Sequence, residues 1–265
     1  MLAVSGAKHF ILFIDDYTRM TWVYFLPVKI HKETLEALKV FQATKEKTAG
    51  HPISRFRCDY RHREYDNRFF LECLSADGIS YKPAAPYMPN LTGVSEKKIP
   101  AIVEWARTRL LKASLPECFW GDVVAMAVYI LNRSPMKALT GKTLFEAWFG
   151  SRPNLAHLRH FGCDAYVHVP VVQGTNLKPK ARLCMFLEYV PNTTWQWRLW
   201  DARRQKIVIG WNVGFNENCF GNRRPEDPKM FQAILYDQTG QLSPWPRSGP
   251  GPWYSHSLWA SRYLK

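Results

Sequence analysis

Phe10-Ile11-Leu12-Phe13-Ile14-Asp15-Asp16-Tyr17-Thr18-Arg19-Met20-Thr21-Trp22-Val23-Tyr24-Phe25-Leu26 decides the fold. Phe10 to Ile14 is an unbroken apolar run, and Met20 to Leu26 is rich in β-branched and aromatic residues. A charged turn, Asp15 to Arg19, separates them, so the stretch reads as a β-hairpin. Its first arm runs straight into two aspartates, which makes it a strand and not the apolar segment of a signal peptide. Lys32 to Ala49 follows with Leu35, Leu38 and Phe41 at helical spacing, and it stops at Gly50, a residue suited to the left-handed position after a helix.

Further along, Ile53 to Cys58 is a strand candidate that delivers Asp59 at its end. Arg68 to Asp77 reads as a short helix closed by Gly78, and Ile79 to Lys82 as another strand. After the Pro-rich loop Pro83 to Pro89, two helices are expected over Val94 to Ala113 and Pro116 to Asn132, the second almost wholly apolar. From Phe161 onward the pattern changes to short strands: Ala165 to Val169, Leu183 to Tyr189, Arg198 to Trp200, Ile207 to Ile209 and Val213 to Phe215. Interleaved strands and helices predict a layered α/β domain over residues 1–150, and five short strands with tight turns predict a small barrel over 160–217. Residues 218–265, rich in Pro, Gly and Trp, are expected to be a poorly ordered tail.

Composition narrows the function classes. The 265 residues carry 36 Lys and Arg against 22 Asp and Glu, a formal charge of +14, so polyanions and above all nucleic acid lead as partners. Six scattered cysteines form no CxxC pair, which fits a reduced intracellular setting, nucleus or cytoplasm, without a structural zinc knuckle. His157, His160, Cys163 and His168 lie close in sequence, but packing explains them better than zinc. The apolar stretch around Val123 to Leu131 is too short to cross a bilayer, and no membrane partner is expected.

Several stretches together resemble the integrase region of copia-type LTR retrotransposons. In order they are Phe13-Ile14-Asp15-Asp16-Tyr17-Thr18-Arg19, Ala85-Pro86-Tyr87-Met88-Pro89-Asn90, Gly93-Val94-Ser95-Glu96, Ala106-Arg107-Thr108, Phe119-Trp120, Leu131-Asn132-Arg133-Ser134-Pro135 and His157-Leu158-Arg159-His160-Phe161-Gly162-Cys163. The barrel adds Arg198-Leu199-Trp200-Asp201 and Lys206-Ile207-Val208. The resemblance implies an RNase H-like three-layer core, a mixed sheet with helices on both faces and its first strand missing, followed by an SH3-like barrel. It also implies metal-dependent DNA strand transfer, with retroelement ends and target DNA as partners and self-association open.

Members of that family hold two divalent cations, Mg2+ or Mn2+, with three carboxylates, because hydroxyl attack on a phosphodiester needs negative charge stabilised on both the attacking and the leaving oxygen. By motif, Asp59 matches the second carboxylate and Glu96 the third. Thirty-six residues separate them, one more than the family's usual thirty-five, and Arg61-His62 holds the extra residue. The first carboxylate sits in the family on a strand preceding the Phe13-Ile14-Asp15-Asp16 strand. Only Met1 to Lys8 precede that strand here, and Asp15 and Asp16 match a noncatalytic position. Where the family has Asp-Asn-Gly, this chain has Asp59-Tyr60-Arg61-His62, losing the glycine that permits positive φ. Pro100 cannot donate to the carbonyl of residue 96, so a kink is expected in the helix that presents Glu96. These departures predict a catalytically defective integrase relative that still binds DNA, with Lys97, Lys98, Arg107 and Arg109 as phosphate-contacting candidates. The alternatives are an active metal-dependent nuclease or transferase using Asp15 or Asp16 in addition, and a noncatalytic protein-interaction module. The barrel tryptophans Trp195, Trp197 and Trp200 leave a further nucleic-acid contact open.

Overall fold

The computed structural model describes residues 2–28, 30–59, 68–84, 89–168, 181–191, 193–220 and 259–262. Chain connectivity within it divides into two compact units. The first holds Met1–Glu104, Val128–Pro153 and Arg247–Lys265, and the second Trp105–Ala127 and Asn154–Pro246.

In the first unit, β1 (His9–Asp15) and β2 (Thr21–Leu26) form the expected antiparallel hairpin, with Phe13 opposite Trp22 and Ile11 opposite Tyr24. Phe10 to Ile14 are all buried, so side chains on both faces of β1 are covered, as its continuous apolar run requires. One face meets α1 (His31–Ala49), whose Leu35, Leu38 and Phe41 join Ile11, Phe13, Trp22 and Tyr24 in one cluster. There Phe13 stacks on Phe41 with ring centroids 4.5 Å apart, and Trp22 meets both Phe41 and Trp148 edge-on. Gly50 ends α1 at φ 69, where any other residue would be strained. β3 (Arg55–Asp59), α2 (Arg68–Ala76) and β4 (Ser80–Ala84) form a parallel crossover, with Phe56 and Phe70 packed edge-on. Pro83 sits in β4, an edge strand, where a missing N–H costs no ladder bond.

The helix α3 (Pro89–Ala113) starts five residues before the expected Val94 and runs on through Pro100. The predicted kink is not seen as a break. Pro100 is exposed, so the Glu96 carbonyl that loses its donor can be hydrated instead of stranded. After a short turn of 3-10 helix at Glu117–Phe119 comes α4 (Trp120–Arg133), and then α5 (Leu144–Phe149), capped by the Thr143 hydroxyl, which accepts from the Glu146 N–H at 3.0 Å. The periodicity reading had not picked out α5, because six residues give too few turns for a pattern.

The second unit's sheet comprises β5 (Cys163–His168), β6 (Ala181–Tyr189), β7 (Trp197–Asp201), β8 (Lys206–Gly210) and β9 (Val213–Phe220), all antiparallel in the order β8-β7-β6-β5-β9. Every one of the five strands lies where the short apolar runs placed it. Phe186, Leu187, Leu199 and Trp200 are completely buried at its centre.

β10 (Trp259–Arg262) lies within the stretch read as a poorly ordered tail, and it enters the first unit's sheet, whose order is β2-β1-β10-β3-β4. The sheet therefore has five strands and no gap. Composition marks a segment that cannot build a core of its own, but it does not register that four residues of extended backbone can pair with strands from elsewhere.

Candidate metal and nucleic-acid site

Asp59 closes β3 beside Ala84 of β4, and its side chain lies outside the described residues, as do Tyr60 to His62. Glu96 is exposed in the second turn of α3. These are the two carboxylates that the motif identifies.

The other two acids in reach of the argument are already engaged. Asp15 is fully buried, and its Oδ2 accepts from the Thr18 N–H at 2.8 Å and from the Thr18 hydroxyl at 2.7 Å. It organises the β1–β2 turn. Asp16 pairs with Arg19 across that same turn at 2.5 Å. The turn also holds Arg19 at φ 61, a left-handed conformation that the hydrogen bonds around it must stabilise. Among the described residues, no three His, Cys, Asp or Glu side chains gather into a metal cage. A pair of divalent cations acts by stabilising the attacking and leaving oxygens of a phosphodiester, held by carboxylates between them.

Of the four basic candidates, Lys97 and Arg107 are exposed on α3, and the Arg109 guanidinium lies 4.9 Å from the centre of the Trp105 ring. Lys98 must be reassigned. It is buried, and its Nζ donates to the Arg19 carbonyl at 2.5 Å and to the Thr21 hydroxyl at 2.6 Å. Burial pushes its ammonium down to about 7, helped by Arg19 and opposed by the nearby Asp15. On a helix, residues two apart point to different faces, so Glu96 and Lys98 cannot both look outward. Lys98 is a strut between α3 and the hairpin, out of reach of a phosphate.

The four residues that lie close in sequence near the second unit's sheet take separate places. His157 is buried edge-on against Tyr189 with ring centroids 5.4 Å apart, and His160 Nδ1 meets Glu217 at 3.0 Å. Cys163 is fully buried, with its thiol pushed up to about 12, while His168 is exposed. This stretch seats the barrel: the Arg159 N–H donates to the Tyr189 hydroxyl, which donates back to the Arg159 carbonyl, and the Gly162 N–H donates to the Phe186 carbonyl at 2.8 Å. Of the barrel tryptophans, Trp200 is core, edge-on to Phe119. Trp197 is half-buried against Phe215, and Trp195 alone of the three is exposed.

Two polar constellations escaped the sequence reading. Asn132 clamps the buried Thr21, accepting from its N–H at 3.0 Å and donating to its carbonyl at 2.6 Å. In the second unit Arg198 meets Glu188, directly across the β6–β7 ladder, at 2.6 Å, and Asp122 of α4 at 3.2 Å. The Glu188 contact is ionic and not an aligned hydrogen bond, since the Arg198 Nε–H does not point along it. Asp122 in an otherwise apolar helix was the available signal, but its partner lies 76 residues away.

Comparison with known proteins decides the ancestry. Residues 163–229 match the model of the retroviral polymerase SH3-like domain. The chain is 36% identical over 233 residues to the retrovirus-related Pol polyprotein from transposon TNT 1-94 of Nicotiana tabacum, covering 88% of this chain and 17% of that one. Over most of its length the chain is similar to part of retrovirus-related Pol polyproteins of plant transposons. A second relative, the retrovirus-related Pol polyprotein from transposon RE1 of Arabidopsis thaliana, is 32% identical over 220 residues, 83% of this chain and 15% of that one, so the chain spans less than a fifth of the length of each of these two relatives. Among solved structures it is similar to the HTLV-2 integrase catalytic core domain in complex with magnesium, at 18% identity and a TM-score of 0.39 over 51% of this chain and 80% of that one. The copia-type resemblance read from the ordered motifs is thus borne out. So is the fold class, a mixed sheet with helices followed by an SH3-like antiparallel sheet.

Proposed function

We propose that this integrase-derived chain binds nucleic acid and is catalytically defective, its ancestral activity being metal-dependent DNA strand transfer in the nucleus. The observation that supports the defect is the fate of the hairpin acids: Asp15 and Asp16 are committed to the turn, and among the described residues no three acidic, His or Cys side chains gather beside Glu96. Two carboxylates give one cation an incomplete shell and a second cation nothing to share. Support for binding comes from the net charge of +14 and from Lys97, Arg107 and Arg109 along α3. The copia-type family's double-stranded element ends and target are the DNA partners this reading assigns, with self-association among copies.

The test is a fluorescence anisotropy titration against duplex and branched DNA over a range of salt, together with a nicking assay in Mg2+ and Mn2+. Affinity that falls steeply with salt, with no nicking in either metal, is the expected result. Absence of salt-dependent binding removes the binding half, and metal-dependent nicking that is lost on Glu96→Gln removes the defect.

A further inference from the structure

From Phe10 to Leu26, one residue alone is exposed. Tyr17, at the tip of the β1–β2 turn, keeps 73% of its surface in water, while Asp16 and Arg19 are half-buried and every other residue of the stretch is buried. The turn takes its shape from bonds that Tyr17 does not make. The Asp15 carboxylate accepts from the Thr18 N–H and hydroxyl, the Thr18 hydroxyl accepts from the Met20 N–H at 3.2 Å, and the Asp15 N–H donates to the Met20 carbonyl at 2.9 Å. The Arg19 carbonyl accepts from the Thr21 hydroxyl and from Lys98 of α3. Together these bonds hold Arg19 in the left-handed region at φ 61, and backbone strain of this kind persists where the surroundings over-determine it, often at ligand-contacting sites. The tip is therefore fixed in place before anything binds. Tight turns favour Gly, Asn, Asp or Ser, which leave little apolar surface in water, so a bulky aromatic ring is not what this turn's geometry calls for.

We propose that Tyr17 is a stacking platform for an unpaired nucleic-acid base, at a strand end or in a single-stranded segment, with the adjoining backbone running toward Lys97. The inference rests on the nucleic-acid reading above and deepens it. The turn's own acids do not oppose a polyanion: Asp15 is fully buried with its carboxylate bonded inward, and Asp16 is paired with Arg19. Lys98 fastens α3 to the turn, and its neighbour Lys97 is exposed. A tyrosine on a rigid tip loses only two side-chain torsions when a ring settles on it. The base must be unpaired, because within a duplex both of its faces are covered by its neighbours, whereas a splayed base offers a face to an aromatic side chain. Every base has such a face, so the contact carries little sequence preference.

Fluorescence anisotropy on the full chain tests this with two probes: a labelled single-stranded DNA, and a relaxed closed-circular duplex, which has neither ends nor unpaired bases, added as competitor. Tyr17→Ala should weaken single-strand binding roughly five- to a hundredfold. Binding of the circle should change by less than about twofold, because its phosphate contacts are untouched, and the salt slope on the single strand should stay the same, because no charge is removed. Tyr17→Phe should bind the single strand like the parent protein. The residue is exposed, so both variants should keep the parent's thermal midpoint. A parent protein that binds the single strand equally well after Tyr17→Ala overturns this inference and leaves the nucleic-acid reading standing. An equal loss on the circle overturns the assignment to an unpaired base, and a loss in Tyr17→Phe as large as in Tyr17→Ala replaces stacking by a contact of the hydroxyl. A parent that binds neither probe removes the nucleic-acid reading and this inference with it.

Discussion

At the scale of single residues, the family's barrel motif Arg198-Leu199-Trp200-Asp201 divides into jobs. Leu199 and Trp200 are pure core, fully buried. Asp201, equally buried, accepts from the Arg204 N–H at 3.1 Å and pairs with Arg182 at 3.5 Å, which fixes the turn into β8. Arg198 faces both the buried Asp122 and the half-buried Glu188, and one guanidinium cannot fully balance two carboxylates. Burial therefore raises both acids above the usual carboxylate range, Glu188 up to about 7, with Arg198 opposing the shift and Asp122 adding to the rise in Glu188. The sign follows from proton linkage: a group whose pKa is higher in the folded state stabilises the fold at low pH and gives that stability up as pH rises through its folded value. Stability of the second unit should thus decline between about pH 4.5 and 7. Glu188→Gln should flatten that decline by roughly 1–3 kcal/mol in urea unfolding at pH 5 and 8. An identical slope in the variant would show that Glu188 is not the titrating group.

At the scale of elements, docking depends on a few contacts whose residue types have no substitutes. Gly162 holds φ +77, and a Cβ built on it would come within 2.4 Å of the Ala113 Cβ at the end of α3. Both the left-handed backbone and the close approach exclude a side chain, so Gly162→Ala should destabilise the second unit by about 3 kcal/mol, read as a lower midpoint in thermal unfolding. In the first unit, Asn132 binds both main-chain groups of Thr21 at the start of β2, and Lys98 braces the same point from α3. β2 is an edge strand, and these contacts cover its first residue. Asn132→Ala strands a buried N–H and a buried carbonyl together. The expected cost is roughly 2–4 kcal/mol by chemical denaturation, whereas an ordinary surface change at the exposed Lys97 stays within about 0.5 kcal/mol.

At the scale of the whole molecule, a charge of +14 should make nucleic-acid affinity strongly salt-dependent. Each phosphate contact adds roughly 0.9 to the slope of log affinity against log salt on duplex DNA. Replacing Lys97, Arg107 and Arg109 together by Ala should weaken binding across all sequences and shallow that slope by about two to three, since contacts to phosphate carry no base preference. A slope unchanged by the triple substitution would move the contact surface off α3.

Most of the local structure is legible in the residues alone, because hydrophobic period, turn residues and caps act over neighbouring positions. The hairpin from Phe10 to Leu26, α1 ending at Gly50 and all five strands of the second unit were legible in this way, and the ordered motifs pointed to the transposon Pol resemblance and nominated Asp59 and Glu96. What only the tertiary structure decided lies in contacts between distant residues. Lys98 reads as one more basic residue on a solvated helix until the hairpin is placed under it. Asp122 reads as a stray acid until Arg198 arrives from a strand 76 positions later. Period and propensity describe a segment's own preferences, but a buried charge or an open strand edge is defined by its partner, and the partner's position is a property of the folded chain alone.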